Sequence, residues 1–164
     1  MTGRTRGIGI MALTAALAVT IGLVGTTAAE DDGSDLTVVE RATTDLVIDL
    51  GVKGDSLGDQ LAFGNELYDE TNATMAGRDQ GNCFRTNPGM SWECTWTNIL
   101  ADGSIVVQGP FYDDLRDSEL AITGGTGAYA SAEGTMTLHS RDAAGTELDF
   151  VFHLSDDSAT EDGS

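Results

Sequence analysis

Side chains that could bind a metal ion or activate a nucleophile are few in this chain of 164 residues. The two histidines, His139 and His153, lie on separate predicted strands, and neither has a partner at the spacing of metal ligands. Two acidic pairs lack the alternating pattern of a calcium-binding loop: Asp113-Asp114 and Asp156-Asp157. The chain also lacks the strand, elbow and helix context of a serine hydrolase. We therefore expect neither a metal ion nor a cofactor.

The two cysteines offer either a disulfide or a reactive thiol. Cys83 and Cys94 flank a segment whose centre, Asn87-Pro88-Gly89, is typical of a turn. Folding the chain about this turn places Cys83 opposite Cys94 on neighbouring antiparallel strands, at the Cβ separation that a disulfide needs. In an oxidising compartment this arrangement predicts a Cys83–Cys94 disulfide, and a free nucleophilic thiol is the alternative.

An apolar cavity is the remaining candidate site. A barrel of about eight strands has an interior that can hold one small ligand. Large aromatic side chains either line such a cavity or fill it, and the sequence leaves both outcomes open. The aromatic residues expected inside are Phe63, Trp92, Trp96, Phe111, Tyr129, Phe150 and Phe152.

The elements that must position these residues are strands. Short apolar runs alternate with turn residues, including a turn expected at Gly124–Gly127, and no segment has a sustained helical period. The predicted strands are 36–50 with a bend near 43–44, 60–69, 73–84, 91–100, 104–111, 118–123, 134–140 and 147–154. About eight strands with short loops predict an all-β fold, a single antiparallel up-and-down barrel, because closure removes the exposed edges of a sheet.

Residues 1–29 have the pattern of a signal peptide. Arg4 and Arg6 precede an uncharged apolar run, and Thr27-Ala28-Ala29 supplies the small residues of a cleavage site. An uncleaved membrane anchor is the alternative, because the apolar run is nearly long enough to span a bilayer. Cleavage predicts a secreted or cell-surface protein that is free of the membrane. The domains are then an acidic disordered lead-in at 30–35, a barrel at 36–154 and an acidic disordered tail at 155–164.

Charge excludes two classes of partner. The chain has 27 acidic and 8 basic residues, a net charge of −19. Loss of Arg4 and Arg6 with the leader leaves 27 acids against six bases, a charge of −21. Nucleic acids and anionic lipids would be repelled, so we expect neither. A solubilising surface or adaptation to high salt explains the acidity.

Several motifs resemble those of the allene oxide cyclase and dirigent superfamily. They are Gly58-Asp59 before Asn65-Glu66-Leu67-Tyr68, Gly81-Asn82-Cys83, Val107-Gln108-Gly109-Pro110 and the run from Thr123 to Gly134. The resemblance covers residues 36–154 and implies a small β-barrel. It also leaves a homo-oligomer open, since members of this superfamily are often dimers or trimers.

The resemblance implies roles for three residues. Asn65 corresponds to an asparagine that holds a water beside the substrate epoxide in allene oxide cyclases. Glu40 corresponds to a carboxylate that steers charge during ring closure, and Cys83 to a cysteine that lines the same cavity. Glu40 and Asn65 are therefore the candidate catalytic residues. The chain departs from the family at Ala42, where an asparagine is expected.

These observations predict an exported barrel that binds a small apolar molecule and guides its cyclisation or isomerisation. Such a site holds a flexible substrate in one folded conformer, while a carboxylate and a bound water stabilise developing charge. Any catalytic activity would be that of an isomerase or cyclase. The alternative is a non-catalytic secreted barrel with a binding or structural role, which Ala42 and the disulfide favour. An open cavity with an inward carboxylate separates the two.

Overall fold

The computed structural model describes residues 34–155, which form ten strands. Their bounds are β1 Ser34–Arg41, β2 Leu46–Ile48, β3 Gln60–Phe63, β4 Glu66–Asp69, β5 Met75–Asn87, β6 Ser91–Leu100, β7 Gly103–Tyr112, β8 Ser118–Gly127, β9 Gly134–Ser140 and β10 Glu147–Leu154. Residues 34–155 contain no helix long and apolar enough to cross a membrane. The predicted signal peptide, most of the acidic lead-in and nearly all of the acidic tail lie outside the described residues.

The strands close into one antiparallel ring. Their order is β2-β3-β5-β4-β1-β10-β9-β8-β7-β6, and pairing of β5 with β6 completes the circle. β3 and β4 follow one another along β5, while β1 pairs with β4 and β2 with β3. β1 and β2 are thus two parts of one interrupted strand, and β3 and β4 are two parts of the next, so ten strands occupy eight positions. The predicted fold class, an all-β barrel of about eight antiparallel strands, is confirmed.

Both interruptions lie on the same side of the barrel and face one another. The first strand breaks after Arg41, at the predicted bend, and its partner breaks at Gly64-Asn65. Backbone N–H groups of Thr43 and Thr44 leave the ladder at this point and donate to the side chain of Asn65 instead. The two breaks therefore create the place where polar side chains enter the wall of the barrel.

The predicted turn at Gly124–Gly127 is wrong. β8 continues through these residues to Gly127, and the chain turns at 128–133. The glycines serve close approach instead, because a Cβ at Gly125 would overlap the backbone carbonyls of Tyr129 and Ser104. Gly127 has a φ of +62°, a conformation that favours glycine where the chain leaves the strand. The glycines at 124–127 do not form the turn. They allow the turn at 128–133 to pack closely against β8 and β7.

We call the end where β1, β5, β7 and β9 finish the upper end of the barrel. Fully buried apolar side chains fill the lower half, and they are Leu67, Ile105, Met136 and Phe152. Complete burial of such a side chain contributes about 1.5–3 kcal/mol. The lower half is therefore a packed core that holds the strands rigidly around whatever lies above it.

Cys83 and Cys94 stand opposite one another in the register of β5 and β6. They form a disulfide with a Cα–Cα distance of 4.0 Å, and both residues are buried inside the barrel. The predicted Cys83–Cys94 disulfide is confirmed, and the alternative of a free thiol is excluded.

Candidate functional site

A pocket opens at the upper end of the barrel. Its wall is aromatic and aliphatic, with Phe63, Trp96, Phe111 and Phe150 beside three leucines and the disulfide. The cavity measures about 30 Å³, well below the about 300–1,000 Å³ of most ligand pockets. It is therefore a narrow slot, and a ring or chain would fit only if the side chains around it moved apart.

Aromatic rings form the inner wall of the slot. The ring of Trp96 lies 5.9 Å from that of Phe63 in an edge-to-face arrangement, and 5.5 Å from that of Phe150. These distances are typical of favourable aromatic pairs, which hold each ring in one orientation. The interior of the barrel is thus filled below these rings and open above them.

The residues expected to line a cavity divide between this pocket and other places. Phe63, Cys83, Trp96 and Phe111 line the pocket. Trp92 is buried nearer the rim, under the guanidinium group of Arg85 at 3.9 Å. Tyr129 is half-buried and packs against the core at the lower end.

Glu40 is the polar side chain in the pocket wall. It lies near the upper end of β1, and it is 4% exposed. The Nδ2 group of Asn65 donates a hydrogen bond of 2.7 Å to its Oε1 atom. The same Nδ2 group donates to Oδ1 of Asp45 at 2.8 Å, and Asp45 lines the pocket from an exposed position at its mouth.

Asn65 occupies the gap between β3 and β4, behind Glu40, and does not line the pocket. Its Oδ1 atom accepts the backbone N–H groups of Thr43 and Thr44, both at 2.9 Å. Because Nδ2 is bonded to two carboxylates, every hydrogen-bonding atom of the side chain is engaged. The backbone of Asn65 is held as well, since its N–H donates to Oδ1 of Asp79 at 2.8 Å.

Glu40, Asp45 and Asp79 bring three carboxyl groups together around this asparagine. Burial, and after it the like charge of Asp79, raises the pKa of Glu40 well above its ordinary value. Burial also raises the pKa of Asp79, whereas its hydrogen bonds to Glu40 and Asn65 act in the opposite direction. Within the described residues, no cluster of three or more such groups is arranged to hold a metal ion.

Two features of the cluster affect the protonation of these carboxyls. The charge of Asp79 lies close to the buried carboxyl of Glu40 and opposes its ionisation, which raises the pKa of Glu40. Oδ1 of Asp79 accepts the N–H of Asn65, which stabilises the ionised form of Asp79. Oδ2 of Asp79 is buried and accepts no bond from an N–H or hydroxyl donor within residues 34–155. Burial and the charge of Asp79 therefore favour the neutral form of Glu40, whereas the hydrogen bond from Asn65 favours the ionised form of Asp79.

Sequence reasoning missed Asp79 and Asp45 as members of this cluster. A usable signal for Asp79 was its parity on β5, because alternate residues of a strand face the same side. Asp79 is four residues from the inward-facing Cys83, so it must also point inward. Asp45 gave no comparable signal, since it follows an irregular break in the strand.

A cation organises the rim of the pocket. Arg85, on the inward face of β5, makes two contacts of 2.7 and 2.8 Å with the carboxylate of Asp113. Its Nε atom lies 2.6 Å from Oδ1 of Asp55, and its guanidinium covers Trp92. Asp113 belongs to the loop after β7 and Asp55 to the loop between β2 and β3. Arg85 therefore ties two loops together at the upper end.

Comparison with known proteins gives a family and a set of similar folds. A sequence profile of the allene oxide cyclase family matches residues 35–156. The structure of pyocyanin demethylase is similar with 26% identity and a TM-score of 0.62, over 73% of this chain and 100% of that one. A pterocarpan synthase dirigent protein, PsPTS1, has 17% identity and a TM-score of 0.61, over 75% of this chain and 96% of its own. An exo-specific intermolecular Diels-Alderase, AbnU, has 14% identity and a TM-score of 0.53, over 74% and 98%. The last two similarities show a shared fold.

Proposed function

Because this chain belongs to the allene oxide cyclase family, we propose that it binds a small, mostly apolar molecule in the upper pocket and guides its cyclisation or isomerisation. The observation that carries this proposal is Glu40, a buried carboxyl with a raised pKa in the wall of a mostly apolar, open slot. Neutral acids of this kind occur at catalytic sites, where burial and a like charge raise a carboxyl pKa.

Glu40 would act as a hydrogen-bond donor to a substrate oxygen. An oxygen that gains negative charge as a bond rearranges is stabilised by a donor already in place, and the effect is strong where water is excluded. The proton of Glu40 moves towards that oxygen during the rearrangement and returns when the new bond is complete. The reaction consumes no proton overall, which is required because an isomerisation or cyclisation leaves the composition of the substrate unchanged.

Asn65, Asp45 and Asp79 would position Glu40 rather than touch the substrate. Asn65 holds one oxygen of Glu40, and the like charge of Asp79 keeps the other oxygen protonated and available to the substrate. If Glu40 lost its proton, two carboxylates would face one another in a buried site. Their repulsion would draw the proton back to Glu40 and restore the acid for the next turnover.

The shape of the pocket supplies the rest of the mechanism. Rigid aromatic walls hold a flexible substrate in one conformer, which lowers the entropic part of the barrier and selects one stereochemical outcome. The disulfide between Cys83 and Cys94 forms part of the wall and keeps β5 and β6 from separating. The names of the similar structures support this use of the barrel, since a demethylase of pyocyanin and a Diels-Alderase both act on small organic molecules.

We also propose that the protein is exported. The disulfide is consistent with an oxidising compartment such as the cell exterior. The leader on which export depends lies outside the described residues.

The experiment that tests the proposed function begins with native mass spectrometry of the protein from its natural producer. We expect a bound small molecule, released on unfolding, whose mass and fragmentation identify it. Wild type and Glu40→Gln are then incubated with that molecule, with Asp114→Asn as a control that removes one exposed charge. We expect wild type and Asp114→Asn to convert it to an isomer of equal mass, and Glu40→Gln to bind it unchanged.

The alternative, a non-catalytic binding barrel, is favoured by one observation. The slot has little room for a substrate to change shape. A ligand that is bound equally by all three proteins and never converted would establish this alternative. Absence of any bound molecule, together with failure of an apolar fluorescent dye to bind, would rule out both functions.

A further inference from the structure

Trp96, which lines the pocket, carries a polar atom that the arrangement around Glu40 does not use. Nε1 of Trp96, a hydrogen-bond donor, is buried and has no acceptor among residues 34–155. Trp96 is 4% exposed and lines the pocket. An unpaired buried donor loses the hydrogen bond it made to water, so buried N–H groups in folded proteins are nearly always paired.

Packing keeps this indole in place. Phe63 and Phe150 lie against its ring, and Gly81 stands opposite Trp96 on β5. A Cβ at Gly81 would overlap the Cβ of Trp96, so the absence of a side chain there is what admits the indole. This packing holds the indole in one orientation, with its N–H unpaired.

We infer that the N–H of Trp96 binds an oxygen of the ligand, so that the ligand is a mostly apolar molecule carrying a carbonyl, ether or hydroxyl oxygen. This inference rests on the proposed function, because it assigns a ligand class to the same pocket. Trp96 would then select ligands by their oxygen, while the apolar wall selects them by shape. A site that hydrogen-bonds one ligand group discriminates against an analogue without it, because its own donor is left unpaired.

The experiment compares two flat probes of nearly equal size, 1-indanone, which has a carbonyl oxygen, and indane, which has none. The full-length protein, labelled with ¹⁵N, is titrated with each probe and followed by ¹H–¹⁵N correlation spectra. The chain has two tryptophans, so two indole N–H signals are expected, and Trp96→Phe assigns them. Trp92→Phe is the matched control, because Trp92 is also buried but does not line the pocket.

We expect 1-indanone to bind about five- to tenfold more tightly than indane, which corresponds to one neutral hydrogen bond. The Trp96 indole proton should move downfield with 1-indanone and not with indane. Trp96→Phe should bind both probes equally, and Trp92→Phe should keep the preference. The shift in the wild-type spectrum needs no substitution, so it decides the question even if Trp96→Phe does not fold.

Two results would overturn the inference in different ways. Equal binding of both probes, or a Trp96 indole signal that does not move when 1-indanone binds, overturns the role of Trp96 and leaves the pocket a ligand site. The N–H would then be satisfied by a trapped water or face the ring of Phe63. Binding of neither probe counts against the ligand pocket itself, and the inference falls with the proposed function.

Discussion

The proton on the Glu40 carboxyl links the stability of this protein to pH, and in the proposed function it also takes part in the chemistry. The folded protein holds that proton to a higher pH than the unfolded chain does, because burial and Asp79 raise the pKa of Glu40 above its ordinary value of 4.5. Between that value and the raised pKa the folded state binds more protons than the unfolded state. The contribution of Glu40 to stability is therefore fully present below about pH 4.5 and is lost as the pH rises through the folded pKa.

The substitution Glu40→Gln should remove this pH-dependent loss of stability. The amide imitates the neutral acid, since its oxygen can accept from Asn65 and its NH₂ group can donate to Asp79. We expect the variant to be more stable than wild type at pH 8, by about 1.4 kcal/mol for each unit by which the pKa is raised. The advantage should shrink steadily as the pH falls towards 4.5.

Urea unfolding of both proteins at several pH values between 4.5 and 8 measures the difference. Aspartates such as Asp59 and Asp142, whose pKa values are lowered by hydrogen bonds from their own loops, affect both proteins equally and cancel. Asp114→Asn should show no such window. A Glu40→Gln protein that is less stable than wild type at pH 8 would mean that Glu40 is ionised in the folded state.

At the scale of elements, the pairing of β5 with β6 determines where the indole of Trp96 can lie. Gly81 faces Trp96 directly, and the Cβ of the tryptophan occupies the space that a side chain at 81 would need. An alanine there must displace Trp96 or separate the two strands, which the neighbouring disulfide between Cys83 and Cys94 resists.

Gly81→Ala should therefore destabilise the barrel by about 1–3 kcal/mol, the usual cost of overpacking a tight core. It should also push the indole towards Phe63 and narrow the pocket. Gly64→Ala is the matched control, because a Cβ at Gly64 has its nearest neighbour at 3.6 Å, an ordinary contact. Thermal unfolding and binding of 1-indanone measure both effects. Equal stability of the two variants would show that the β5–β6 contact is looser than described.

Elements were the part of this molecule most open to prediction from sequence. β6, β9 and β10 have the predicted bounds, because strict alternation of apolar and polar residues leaves a strand little freedom of register. The glycine run near the end of β8 was misplaced, since a glycine that permits close approach has the same sequence signature as one that turns. Local composition does not distinguish these two uses.

The candidate site was only partly predictable. Glu40 and Asn65 were named through resemblance, and they do lie together, with Nδ2 of Asn65 hydrogen-bonded to the Glu40 carboxyl. The raised pKa of Glu40 depends on Asp79, which is remote in sequence and comes close only when β4 pairs with both β1 and β5. The unpaired N–H of Trp96 is likewise a property of packing between strands. Both features arise from contacts between residues that are far apart in the sequence, so no local sequence pattern predicts them.

At the scale of the whole molecule, charge opposes the compact fold. The net charge is −19, and only 8 of the residues are basic. Several of those cations are committed to specific contacts, such as Arg85 with Asp55 and Asp113, and Arg141 with Asp149. The remaining acids repel one another across a small surface, and this repulsion is relieved when the chain expands.

Salt should therefore stabilise the protein, and most of the gain should come at low concentration. The screening length falls from about 30 Å at 0.01 M salt to about 8 Å at 0.15 M. At the higher concentration, repulsion between charges on opposite sides of a small barrel is already largely screened. We expect a gain in the free energy of unfolding on the order of 1 kcal/mol over this range, which raises the Tm by about 3–6 °C for a domain of this size.

Calorimetry at 10, 50, 150 and 500 mM NaCl, with sucrose as an uncharged comparison, separates screening from general effects of cosolutes. Screening predicts a rise that flattens above about 150 mM, where the screening length falls below about 8 Å. A Tm that rises only at 500 mM would instead point to exclusion of salt from the protein surface, and a Tm that falls at low salt would mean that ion pairs such as those of Arg85 outweigh the repulsion.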